Sequence, residues 1–176
     1  NASLKPENGW SAEIGIKQGL KINKWMGYLD IAGFLMEYND MMEFTFGKWE
    51  ESRGDANFYG NGFKSVNIGE TQISGLEISI SGQGRVTNNI RMNILTGYTY
   101  MRPISLTPDN VYTTTFNGTD LTYTNSSSDP SALKYRYNHI AKMDAELIYK
   151  KLSLAGSYRY NDFMKNIDAI FASDIF

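Results

Sequence analysis

The chain has 176 residues, enough for one domain with a sizeable core. Its 17 basic and 19 acidic side chains are scattered and leave a formal net charge of -2, which argues against nucleic acid as a partner. Cysteine is absent, which excludes a disulfide framework and a cysteine metal site, while 12 Tyr and 16 Gly favour β structure.

Hydropathy repeats with period two, the spacing of a strand, in six places. The first strand is expected over residues 10–20, with Trp10, Ala12, Ile14 and Ile16 on one face and Ser11, Glu13 and Lys17 on the other. A short turn over 21–24 leads to a strand over 25–44. Its odd positions, from Trp25 to Leu35, suit lipid until the face turns polar at Glu37 and Asn39. Residues 45–62 read as a glycine-rich loop.

A strand over 63–81 carries Leu76, Ile78 and Ile80 on one face, and a polar turn over 82–89 follows. The next strand, 90–101, ends its apolar face in Tyr98 and Tyr100, as an aromatic girdle would. Residues 102–133 form a long Thr-, Ser- and Asn-rich loop. Strands over 135–149 and 152–160 meet at Lys150-Lys151, and another loop follows Asn161.

Short and long connections thus alternate. An up-and-down membrane barrel has this asymmetry, with tight turns at one end and long loops at the other. No run of about 18 apolar residues exists for a transmembrane helix, but a barrel strand needs only about 10 residues of alternating hydropathy. The pattern predicts an all-β chain: about six strands of an antiparallel, up-and-down transmembrane β-barrel, the whole of 1–176 being barrel segment. Six strands are too few to close such a barrel, since eight is about the minimum. With no initiator Met and no signal peptide, the chain reads as a mature segment or a fragment.

Two segments carry a family resemblance. Asn1-Ala2-Ser3-Leu4-Lys5-Pro6-Glu7 followed by Glu13-Ile14-Gly15, and Val66-Asn67-Ile68-Gly69-Glu70 followed by Ile73-Ser74-Gly75-Leu76-Glu77, resemble successive strands of TonB-dependent outer-membrane receptors. Ala2 stands where that family usually has Pro. Tyr98-Thr99-Tyr100 and the run from Tyr135 to His139 also look like later strands of the family.

The resemblance implies part of a 22-stranded barrel whose plug domain and terminal strands lie outside this chain. It implies a receptor in the outer membrane of a Gram-negative bacterium, importing a scarce nutrient with TonB-derived energy: an iron chelate such as a siderophore, a vitamin or a glycan. The implied partners are outer-membrane lipid, the cargo, and the TonB complex through the plug.

Candidate chemistry is sparse. Asp144 and Glu146 share a strand face, as a general acid/base pair or a cation site would require, but a polar barrel lumen supplies such pairs by construction. His139, the sole histidine, has no nucleophile signature beside it. Gly82-Gln83-Gly84 lacks the further glycine and helix of a phosphate loop, and the sequons at Asn117 and Asn125 arise readily in such composition. No catalytic residue, metal or cofactor is expected. The loop aromatics Trp49, Phe58, Tyr59, Tyr112 and Tyr123 are the candidate ligand contacts, because rigid aromatic faces suit sugars and chelates. Two alternatives remain at this point: an outer-membrane enzyme using Asp144, Glu146 and His139, and a soluble sandwich or lipocalin-like binding module.

Overall fold

Two-residue turns set the register of the main sheet. Asn23 joins β1 (Asn8–Ile22) to β2 (Lys24–Asn39), and Lys150 begins the turn between β9 (His139–Tyr149) and β10 (Leu152–Asn161). Both residues adopt positive φ, 55° and 53°, the hand that matches the twist of the flanking strands. The computed structural model, which describes residues 4–51 and 59–172, adds β5 (Thr71–Arg85) and β6 (Ile90–Ser105) to form one six-stranded sheet in the order β1-β2-β5-β6-β9-β10. Every neighbouring pair is antiparallel. The six strands match the six period-two segments, and their order is that of a partial, unclosed barrel wall.

Register decides the character of each face. Ile16, Ile31, Ile78 and Tyr98 are cross-strand partners in one row, and Ile14, Gly33, Leu76, Tyr100 and His139 make the row beside it. Leu154 and Leu147 continue the same face on β10 and β9. The other face carries Lys17, Asp30, Asn93, Lys142, Asp144, Glu146 and Arg159. Many apolar side chains are exposed, Ile14 at 82% and Leu154 at 76%. No second layer of the described residues covers them.

Aromatic residues mark both limits of the apolar face. Trp25 and Tyr149 stand near the turn end; Trp10, Tyr98, Tyr100, Tyr158 and Tyr160 stand towards the loop end. Ile90 to Tyr100 is about 33 Å along the strand at about 3.3 Å per residue. Tilted by about 40°, that is about 25 Å of thickness, the height of the apolar band of a membrane barrel.

Two expected strands are broken. The segment 25–44 leaves the sheet after Asn39, because Asp40 takes φ 52°, and resumes as β3 (Met42–Lys48). The segment 63–81 is likewise split into β4 (Asn61–Asn67) and β5 at Gly69, φ 89°. The two breaks lie side by side: Met41 N–H donates to Gly69 O at 3.1 Å, and Ile68 N–H to Met41 O at 2.8 Å. β3 and β4 pair as a separate hairpin, so residues 45–48 and 61–62 of the expected loop are strand. The long loop after β6 holds β7 (Thr113–Thr114), β8 (Asp120–Leu121) and a one-turn helix, α1 (Tyr123–Ser126), capped by Thr122. Tyr135, at φ 56°, delays the next strand until His139. A second one-turn helix, α2 (Ala169–Ala172), follows β10.

On the main sheet Trp25 is buried; the buried hydrophobic cluster lies at the loop end. Met41, Val66, Ile68, Tyr123 and Leu133 pack together there beneath the β3–β4 hairpin.

Candidate functional site

The loop-end cap is built around charge. Glu43 and Thr45 lie on the inner face of β3, and Lys134 and Asp168 come from the connections after β6 and β10; all four are buried. Lys134 Nζ sits 2.6 Å from Asp168 Oδ1 and also donates to Ser126 Oγ at 3.1 Å and Thr45 Oγ1 at 3.2 Å. Asp168 further accepts from Thr45 Oγ1 at 3.1 Å and, through Oδ2, from the Tyr135 hydroxyl at 2.7 Å. The pair is almost fully screened from water, with 1% and 3% of its side chains exposed.

Glu43 is the second anion. Tyr123 donates its hydroxyl to Glu43 Oε2 at 3.1 Å and accepts the backbone N–H of Lys134. Burial pushes the Glu43 carboxyl up to about 7, against the pull of the Arg136 guanidinium 3.7 Å away and of the Tyr123 hydroxyl. Burial and the Glu43 charge push the Tyr123 phenol well above its usual range, so it stays a donor. Burial and the bond to Asp168 take Tyr135 to about 12. Asn166 completes the stitching: its amide donates to Ala132 O at 2.5 Å and accepts from Asp129 N–H at 3.0 Å. Three segments distant in sequence are thereby closed into one cap.

The candidate aromatics divide. Trp49 lies against Gly47, donates Nε1–H to Gly62 O at 2.8 Å, and carries Lys64 Nζ 4.8 Å above its ring. Tyr59 is 39% exposed at the hairpin tip. Tyr112 points its hydroxyl inward to Ser126 Oγ, 2.5 Å, and Thr45 Oγ1, 3.2 Å. It also lines a side cleft of about 460 Å³ with Lys5, Asp40, Lys64, Asn67 and Asn110. Tyr123 is 1% exposed and belongs to the core, out of reach of a ligand while the cap is closed. Phe58, like Asn1 to Ser3 of the opening motif, lies outside the described residues.

A family model described as TonB dependent receptor-like, beta-barrel, matches residues 1–171. The chain belongs to this family. No curated protein matches it. TonB-dependent receptors are outer-membrane transporters, not a family of enzymes.

The receptor barrel separates the residues of the enzyme alternative. Asp144 holds Arg159 Nη2 at 2.9 Å and Ser157 Oγ at 2.6 Å; Glu146 holds Asn93 Nδ2 at 2.7 Å and Ser153 Oγ at 2.5 Å. Both are on the polar face. His139 lies on the apolar face, its Nδ1 2.7 Å from the Tyr98 hydroxyl. The sheet lies between them, so the three share no site. Lys134, Asp168 and Glu43 had no sequence signal. Charged side chains in polar stretches are normally solvated, and only the packing of distant segments buries these.

Proposed function

We propose that the chain is barrel wall and outer loops of a receptor that binds a scarce nutrient, an iron chelate, a vitamin or a glycan, and imports it across the outer membrane of a Gram-negative bacterium with TonB-derived energy. In this reading the turn end faces the periplasm and the loop end faces outwards. A plug domain would carry the contact with the TonB complex. The chain performs no catalysis.

The observation that carries the reading is the gathering of every long connection at one end of an apolar-faced sheet, folded there into a cap tied by buried charge. Such a cap gives a rigid platform for ligand contacts at the mouth of a barrel. Trp49 and Tyr59 at the hairpin tip, and Tyr112 beside Lys64 in the side cleft, are the proposed contacts.

The test is nutrient uptake in a strain lacking the receptor, complemented by the full-length protein and offered iron chelates, cobalamin and oligosaccharides in turn. Wild type should restore uptake of one class. Trp49→Ala and Tyr59→Ala, with the barrel folded, should each weaken binding of that cargo about tenfold. Complementation of none of the three classes would sink the transport reading.

A further inference from the structure

The apolar face has a notch between β1, β2 and β5 that the protein does not fill. Gly27 and Gly82 are cross-strand partners on this face, and the Trp25 ring lies over both; an added Cβ would come within 2.6 and 2.2 Å of it. Gly33 is different. A Cβ there would meet only Gly75 O, at 3.9 Å. The missing side chain leaves a groove of about 610 Å³ walled by Ile14, Leu35, Leu76 and Tyr100, with Arg102 at its loop end.

Arg102 is the only Lys or Arg on the apolar face of the six strands, by register. It is exposed and makes no side-chain hydrogen bond or ion pair among the described residues. It stands one pleat beyond Tyr100, about 5 Å further along the membrane normal, level with the loop-end aromatic belt, where lipid headgroups begin. The one carboxylate on this face, Glu37, is on β2, two strands away, where Gln72 Nε2 donates to it at 2.9 Å. An apolar groove ending in an unpaired guanidinium is complementary to an anionic amphiphile, and guanidinium matches phosphate in geometry and charge.

We propose that the Gly33 notch and Arg102 form a binding site for a phosphate-bearing lipid of the loop-side leaflet, with one acyl chain in the notch and the phosphate on the guanidinium. The site rests on the reading that this face meets lipid and that the loop end faces outwards.

The test uses the full-length receptor in a non-ionic detergent, titrated with lipid A or with dephosphorylated lipid A and read by native mass spectrometry. Wild type should hold lipid A at least about tenfold more tightly than the dephosphorylated form, the difference that one charge-assisted contact gives. Arg102→Gln should abolish that difference. Gly33→Leu, whose side chain enters open space, should weaken both lipids by a similar factor. Equal binding of the two lipids by wild type overturns the proposal. So does binding unchanged in either variant, or displacement of lipid A by inorganic phosphate alone. A receptor that still folds in detergent and restores uptake, yet shows any of these results, leaves the transport reading intact and removes only the lipid site.

Discussion

Asp168 accepts hydrogen bonds from Lys134, Thr45 and Tyr135, and none of these partners is near it in sequence. Removing one charge of such a buried pair strands the other, which costs about 3–5 kcal/mol. Lys134→Met should therefore open the cap, seen as loss of amide-exchange protection at Leu133 and Tyr123, while the sheet keeps its protection. Lys134→Met combined with Asp168→Asn should recover part of the loss, because no bare charge remains. Equal protection in the single and double variants would contradict this. Glu43 adds a dependence on pH. Its folded pKa of about 7 is above its ordinary 4.5, so its stabilisation is complete below about 4.5 and is lost as pH rises through about 7. Cap protection should fall between pH 5 and pH 8, and Glu43→Gln should flatten that fall.

Strands of the wall were legible in the sequence because one physical rule, alternation against a two-sided environment, acts on each of them alone. The breaks at Asp40 and Gly69 were not. Each residue is compatible with a continuing strand, and the turn is fixed only when Met41 and Gly69 hydrogen-bond across the hairpin. The cap was invisible for the same reason at longer range: Glu43, Lys134 and Asp168 acquire their roles only by meeting. Glycine shows a similar split. Gly82→Ala would drive a Cβ into the Trp25 ring at 2.2 Å, whereas Gly33→Ala meets nothing closer than 3.9 Å. Refolding into lipid vesicles under urea titration should show Gly82→Ala destabilised by about 1–3 kcal/mol. Gly33→Ala should be close to neutral, and matching losses at the two glycines would mean that the ring does not fill its notch.

Across the whole molecule, the reading stands on which face meets lipid. A soluble protein would bury the apolar face, and the cost of a charge placed there would follow local packing. A membrane barrel makes the cost follow depth, highest at the midplane and small at the girdles. Ile80 lies near the middle of the apolar face, opposite Leu29 and Thr96, and Ile22 lies at its turn-end limit, opposite Trp25. Ser79 is adjacent to Ile80 but faces the polar side, opposite Asp30. In the full-length receptor folded into vesicles, Ile80→Arg should cost about 2–4 kcal/mol and Ile22→Arg about 0–1 kcal/mol. Ser79→Arg should be close to neutral, because its charge enters a wet lumen beside Asp30 and Glu77. If Ile22→Arg proved as costly as Ile80→Arg, packing rather than depth would set the penalty, and the apolar face would belong against protein instead of lipid.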